Sequence, residues 1–413
     1  MSSTPRRVVV TGTGVTSPVG HSVAESFAAL QAGQHGVRFM PEWDFLPDLH
    51  CRLGAPVEGL DFKKIYPRKK RRTMARVGFL AVHAAEQAVA QAGLEEETLR
   101  SPRTGVTFGS TSGSGSEMEA FSKPLAFDHT MRGLESNSYF RLMTHTAAVN
   151  VGYYFRVRGR IVPTCTACTS GSQGVGTGFE LIRHGISDVV IAGGSEELHY
   201  TSAATFDLLM ATSTHFNERP DESPRPFDKG RDGLVVGEGG GACVLESLEH
   251  ARDRGATILA EVLSYASNCD GSHLTMPDQQ GMEAVMRLSL DGAALSPNDI
   301  DYVNAHGTGT GVGDVTESQA TAAVFERPIP FSSLKGSVGH TLGACGAIEV
   351  AWCIAMMHEG VLLPTRNLTE VDPECGALDY VREPRRTVPT LVMSNNFAFG
   401  GINTSLILGP PPS

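Results

Sequence analysis

The sequence is poor in charge. Lys plus Arg number 34 and Asp plus Glu 45 in 413 residues. Charged side chains make up 19% of the chain, below the usual ~25%, which fits a large buried interior or a sizeable interface. The balance is acidic, 34 − 45 = −11, and argues against a general nucleic-acid binder, which would carry a basic excess. No apolar run approaches the ~20 residues of a membrane span. The most apolar segment, 347–357, is too short and carries Glu349. The apolar Val8-Val9-Val10 is too short for a signal-peptide core, so a soluble, cytoplasmic protein is expected. The 8 cysteines are too sparse for a disulfide framework, and most are expected to be reduced and buried.

Glycine is in excess, 46 residues, or about 11% against an average of ~7%. The glycines sit in short motifs beside apolar runs, where they mark tight turns and close packing. At roughly 150 residues per domain the length gives two or three domains, or one two-lobed unit. Buried strands are predicted at 104–109, 188–193, 241–245, 258–264, 302–305 and 391–394. Helices are predicted at 73–92, 171–183, 280–290, 317–325 and 343–358. The first strand, at Val8, is expected to run into a Gly-rich turn (TGTGVTSPVG) and a helix beginning near Ser22. A charged helix is expected at 246–254. This alternation predicts an α/β fold with mainly parallel sheets covered on both faces. Strand-then-glycine segments near Val8 and Ile258 hint at two similar halves.

The strongest local chemistry is PTCTACTSGSQ, Pro163–Gln173. It opens a helix of small residues. A thiol at a helix N-terminus feels unpaired N–H groups and the positive end of the dipole. Both favour thiolate, the reactive form. Three readings stand open for the segment: a nucleophile, a buried filler, or a metal or redox pair from Cys165 and Cys168. A structural zinc site needs four ligands, and no second C-x-x-C exists.

Two histidines lie in Gly-rich turns. NAHGTGT, Asn304–Thr310, ends an apolar strand with His306 at its C-terminal end, where α/β sheets usually place their sites. SLKGSVGHTLGACGAIE, Ser333–Glu349, carries Lys335 and His340 before a small-residue helix. A lone histidine is more often structural. Two in such loops, with a candidate thiol elsewhere, point to acyl chemistry, where imidazole N–H groups serve as donors to carbonyl oxygens. NNFAFGGIN, Asn395–Asn403, follows the last strand. Its adjacent glycines suit close approach to a ligand, but alone it reads as an ordinary hairpin turn.

Together and in this order, TACTSG, NAHGTGT, KGSVGHTLGACG and NNFAFGG resemble the β-ketoacyl-[acyl carrier protein] synthases, elongating condensing enzymes of the thiolase superfamily. The resemblance runs from VVVTGTGVTSPVG through AGGSEE and RPFDKGRDGLVVGEGGG to the last strand. It implies a thiolase-like five-layer α-β-α-β-α sandwich of two pseudo-symmetric halves, 1–255 with the nucleophile and 256–413 with both histidines. It implies that Cys168 takes an acyl chain as a thioester and that His306 and His340 promote loss of CO2 from malonyl carrier protein. It places Cys168 and Phe399 N–H groups in an oxyanion hole and makes Phe399 a gate. Lys335 is implied to be a supporting residue acting through Glu317, while Thr308 and Thr310 bond the pantetheine arm. No metal or organic cofactor is implied. The partner implied is an acyl carrier protein, and the assembly a homodimer or a heterodimer with a related subunit.

The run 61–72 holds seven basic residues between positions 63 and 72. A solvated face is the ordinary reading. The resemblance makes Arg68, Lys69 and Arg72 a docking site for an acidic carrier protein. Ala398 and Asn396 stand where the family commonly has Gly and Ser, Cys165 is an extra thiol, and Ser112 falls near a position that tunes the acyl pocket. These departures suggest a specialised aryl-polyene or polyketide-type member, with fatty-acid elongation equally open. A degradative thiolase would need a second C-terminal catalytic cysteine. A starter-type enzyme would have Asn at position 340. The remaining alternative, a non-catalytic chain-length partner, would lack Cys168.

Overall fold

The computed structural model describes residues 5–412; Met1–Thr4 and Ser413, the outer ends of the two expected halves, lie outside the described residues. Eleven strands form one continuous sheet: β1 Val8–Thr16, β2 Thr104–Gly109, β3 Ile161–Thr164, β4 Val189–Glu196, β5 Gly239–Ser247, β6 Ala260–Cys269, β7 Tyr302–Asn304, β8 Pro330–Ser332, β9 Asp379–Tyr380, β10 Val392–Ala398 and β11 Ile402–Gly409. Their spatial order is β9-β8-β7-β10-β11-β6-β1-β5-β4-β2-β3. Outward from the antiparallel β1–β6 junction, both sides follow one pattern. β1, β5 and β4 pair antiparallel, then β4, β2 and β3 parallel. On the other side β6, β11 and β10 pair antiparallel, then β10, β7 and β8 parallel.

The expectation of mainly parallel sheets is therefore corrected: the inner pairs are antiparallel. Both faces of every inner strand are covered, so antiparallel strands here show the same continuous apolar runs as parallel ones. In β11, Leu406 and Leu408 face one core cluster and Ile407 another.

Helices α1 Arg76–Ala92 and α2 Thr146–Phe155 cover one outer face. Helices α4 Gln279–Ala293 and α5 Gly311–Phe325 cover the other. Between the half-sheets lie α3 Ser170–Arg183 and α6 Cys345–Glu359, which pack on each other and on strands of both halves. This makes the five-layer α-β-α-β-α sandwich. The central core joins Val10, Val175, Ile348, Trp352 and Leu406, all buried.

The predicted turn at TGTG is strand, since β1 runs on to Thr16. Its glycines serve packing: a Cβ at Gly12 would lie 2.0 Å from the Ala88 carbonyl oxygen of α1, and one at Gly14 1.9 Å from that of Ala84. The helix predicted at 246–254 starts later, at Leu248, because Glu246 and Ser247 finish β5. The helix after β1 starts at Val23, capped by the Ser22 side chain, where the sequence placed its start near Ser22. Helix α5 starts at Gly311, a full turn and a half before the predicted 317.

Candidate active site

Three chain segments bring their polar groups to one buried point. The first is the turn before α3. Ala167 takes a left-handed φ of 50°, and the turn is locked by Thr166 N–H donating to Ser170 Oγ at 2.9 Å and Ser170 N–H to the Ala167 carbonyl at 3.1 Å. Cys168 thus stands directly before the helix, 5% exposed. The second is the loop after β7. His306 and Gly307 each donate a backbone N–H, at 2.7 Å, to the two oxygens of Glu317 on α5. The third follows the short helix Lys335–Val338. There Gly339 adopts φ 66°, and His340 is pinned by its N–H on the Val235 carbonyl at 2.7 Å and its carbonyl on Gly237 N–H at 2.8 Å.

These segments place His340 Nε2 3.0 Å from Cys168 Sγ. The His306 and His340 rings meet edge to face at 5.1 Å. The backbone N–H groups of Cys168 itself and of Phe399 lie close enough to the Cys168 sulfur to lower its pKa. A cavity of about 390 Å³ opens above them, lined by Cys168, His306, His340, Phe399, Thr308 and Thr310 among others. Thr308 and Thr310 hydroxyls are 3.0 Å apart. Phe399 belongs to the turn between β10 and β11, so the segment is both a hairpin turn and a cavity wall. Gly400 N–H ties that turn to the Leu274 carbonyl at 2.7 Å, and the Phe399 ring packs tilted against Phe206, with centroids 5.7 Å apart.

Burial sets the electrostatics. It pushes the Cys168 thiol up to about 12, against the pull of the Lys335 charge and the two N–H groups. The sequence-based expectation of a stabilised thiolate is corrected here: desolvation outweighs the helix end, and the resting form is the thiol. Burial, with the Lys335 charge, also holds both histidines well below the usual range, so both are neutral. Burial raises Glu317 to about 8 despite its two N–H donors.

The direct partner of Lys335 is not Glu317, which reaches it only through the field. The Lys335 ammonium pairs with Glu349 on α6, both fully buried. Burial alone would lower the Lys335 pKa; Glu349 outweighs it and holds it above its usual value. Glu317 serves instead as the backbone anchor of the His306 loop. Sequence reasoning missed Glu349 as the partner, although a carboxylate inside an otherwise apolar helix demands a buried cation. It also missed Cys345, whose thiol donates to the Cys168 carbonyl at 3.3 Å.

Cys168 Sγ and one nitrogen of each histidine lie within 4.8 Å of one another. Such a set resembles three ligands of a metal centre, but the Lys335 charge that disfavours protonation of both rings disfavours a cation equally. Cys165 is exposed and donates to the Thr111 carbonyl at 3.3 Å; it joins no potential ligand group among the described residues. Ser112 is also exposed and outside the cavity lining. Arg68, Lys69 and Arg72 are exposed around the short helix Arg68–Arg71. Lys70 in that run is occupied, donating to the Tyr154 carbonyl at 3.1 Å over the Tyr154 ring.

Comparison with known proteins agrees with this geometry. The beta-ketoacyl synthase N-terminal domain matches residues 5–251 and the C-terminal domain residues 259–369. The 3-oxoacyl-[acyl-carrier-protein] synthase 1 of Escherichia coli K12 is 34% identical over 407 residues, 98% of each chain. A beta-ketoacyl synthase from Burkholderia phymatum STM815 superposes with a TM-score of 0.95 at 51% identity, covering 98% of this chain and 100% of that one. A ketosynthase bound to its type II polyketide acyl-carrier protein superposes with a TM-score of 0.90 at 30% identity, covering 99% and 100%.

Proposed function

The chain belongs to the β-ketoacyl synthase family, and from that membership and this site we propose how its residues do the family's work. The protein is a 3-oxoacyl-[acyl carrier protein] synthase, an acyltransferase of fatty-acid or polyketide-type chain elongation. It joins an acyl thioester to malonyl carrier protein in a decarboxylative Claisen condensation. The observation that carries the residue assignment is the 3.0 Å contact of Cys168 Sγ with His340 Nε2 at the base of the cavity.

In the first half-reaction the Cys168 sulfur attacks the acyl thioester. Its proton passes to neutral His340, whose lowered basicity returns it readily to the leaving carrier thiol. The N–H groups of Cys168 and Phe399 receive the carbonyl oxygen as it becomes an oxyanion. In the second, malonyl carrier protein enters with its pantetheine arm along Thr308 and Thr310. Neutral His306 donates to its thioester oxygen, and so does neutral His340 once its proton has exchanged from Nδ1 to Nε2. The C–C bond to the carboxylate breaks, CO2 leaves, and the electron pair forms an enolate. The enolate carbon attacks acyl-Cys168, releasing a 3-oxoacyl chain two carbons longer and the Cys168 thiolate, which takes a proton from solvent water to regain the thiol. Lys335 and Glu349 hold the region between the two histidine loops.

The basic side chains Arg68, Lys69 and Arg72 receive the carrier protein. For Ser112, exposed and outside the cavity lining, a part in the acyl pocket rests on the resemblance alone. A homodimer, or a pair with a related subunit, also suits the exposed Phe127, Met131, Tyr139 and Phe140, which precede the edge strand β3. The division into halves at 255/256 fits the repeated strand pattern. A cytoplasmic location belongs to the same reading; among the described residues no helix is long and apolar enough to cross a membrane. A non-catalytic chain-length partner is not favoured by a chain retaining Cys168, His306 and His340. Intact-protein mass spectrometry tests the whole: short, long and polyenoyl carrier proteins should leave an adduct on Cys168, and malonyl carrier protein should then discharge it as a two-carbon-longer product. No adduct from any donor would overturn the assignment.

A further inference from the structure

We propose that Asn396 is the positioning residue that fixes the tautomer of His306, so that His306 presents a protonated Nε2 to the malonyl thioester. The inference rests on the proposed function and adds to it a residue outside the catalytic set.

Asn396 sits near the end of β10, fully buried. Its Nδ2 is 2.7 Å from Glu349 Oε2 and 3.4 Å from His306 Nδ1. The two contacts together settle the direction of each bond. Glu349 gives one oxygen to the Lys335 ammonium and the other to Asn396. A carboxylate only accepts, so the amide nitrogen, not its oxygen, faces Glu349. The same nitrogen faces His306 Nδ1, and an amide nitrogen only donates. His306 Nδ1 must therefore accept. In a neutral imidazole the proton then resides on Nε2. Burial and the nearby Lys335 charge keep the ring neutral, so this tautomer is the one that acts. A donor for the forming enolate oxygen is what the decarboxylation step requires of His306.

The amide nitrogen of Asn396 is satisfied by its contacts, whereas its buried oxygen has no hydrogen-bond partner among the described residues. A Cβ at Gly346 of α6 would lie 2.4 Å from Asn396 Oδ1, so the glycine makes room for the amide oxygen. The Cys345 sulfur lies 3.8 Å from Asn396 Nδ2, and its thiol holds the Cys168 carbonyl. One side chain thus links the buried Lys335–Glu349 pair, His306 and the backbone of the nucleophile. His340 is held differently: its Nε2 faces the thiol, and its Nδ1 meets no protein partner among the described residues. Of the two active-site histidines, His306 alone has a protein donor at Nδ1 among the described residues.

The test measures the two half-reactions separately on the full chain. Acyl transfer to Cys168 is read by mass in a single turnover, and loss of CO2 from malonyl carrier protein by carbonate release. In Asn396→Leu the second should fall about 10- to 100-fold, as for other hydrogen bonds that orient a functional histidine, while Cys168 acylation stays within about 3-fold. Nitrogen-15 histidine NMR of the unmodified protein should show His306, assigned by the signal lost in His306→Gln, protonated at Nε2. Asn396→Asp keeps the shape but puts an acceptor against Nδ1 and should move the proton to Nδ1. A His306 protonated at Nδ1 in the unmodified protein would overturn the inference, with no variant needed. So would equal losses in both half-reactions, or no loss in either, in Asn396→Leu. An unmodified protein that neither acylates nor condenses would instead overturn the proposed function.

Discussion

Lys335 and the Arg68–Arg72 segment are both cationic, and their surroundings are opposite. Lys335 is sealed at the centre of the molecule against a single carboxylate, Glu349. Arg68, Lys69 and Arg72 stand in solvent, and none has a carboxylate partner among the described residues. A buried charge acts over a few ångströms with little screening, so one lysine lowers the basicity of two histidines and favours loss of the Cys168 thiol proton, against the opposing effect of burial. Surface charges act at longer range and are damped beyond a Debye length of ~8 Å at physiological salt. The interior should therefore show large effects indifferent to salt, and the surface small effects that salt erases.

The largest effect belongs to the sulfur. Cys168→Ala should cut condensation by about 10³-fold or more, since a covalent nucleophile has no substitute. Its unfolding midpoint should stay near that of the unmodified protein, because the side chain is small. Full condensation activity in this variant would remove the covalent step from the mechanism.

Lys335→Ala comes next and reads out in stability. It strands Glu349 in the core, a change that typically costs about 3–5 kcal/mol. Urea unfolding should show the loss, and high salt should not restore it. Replacing both partners, Lys335→Met with Glu349→Leu, should recover much of the stability while activity stays low. If Lys335→Ala unfolds like the parent, the pair does not hold the core together. His340→Ala should lower malonyl decarboxylation by about 10²-fold and Cys168 acylation less, measured as separate half-reactions.

Much of this interior was legible in the sequence. Cys168, His306 and His340 stand out because each sits in a short motif with glycines or small residues, and chemistry that needs close backbone approach leaves that mark; Phe399 stands out only through the family resemblance. The Lys335 partner was not found. Glu317 and Glu349 are both isolated acids near a motif, and spacing does not tell which reaches a lysine. Burial does: α6 is apolar on every side at Glu349, whereas α5 spends Glu317 on backbone N–H groups. The glycines of β1 misled for a related reason. A strand glycine that admits a helix, as Gly12 admits Ala88, reads in sequence like a turn. The strand directions were hidden because strands covered on both faces look alike whether parallel or antiparallel.

Glu317 gives a smaller, pH-dependent test of the interior. Its folded pKa, about 8, lies above the ordinary 4.5. The folded state therefore holds a proton that the unfolded state releases. The stability from this group is complete below about pH 4.5 and is lost as pH rises toward 8. Over that window stability should fall by roughly 1 kcal/mol per pH unit from this one carboxyl. Asp314, which burial raises to about 6, adds to the slope below that point. Glu317→Gln should flatten the curve between pH 6 and 8. An unchanged slope in the variant would mean that the carboxyl is ionised in the folded protein.

The surface segment should give the smallest effect and the clearest contrast. Reversing Arg68, Lys69 and Arg72 to Glu together should raise the KM for acyl carrier protein by about 10-fold at low salt, with kcat little changed, because steering charges act mainly on encounter. Raising the salt should bring the parent and the variant together, the parent losing affinity and the variant losing repulsion. A pantetheine thioester without its protein should react equally with both, since it has no acidic surface to meet. Lys70→Ala in the same run should behave differently: Lys70 packs on Tyr154, so its loss should appear in stability rather than in KM. If the triple variant loses activity equally on the small thioester, the segment supports the fold rather than a partner. The contrast between sealed and solvated cations would then lose its surface half.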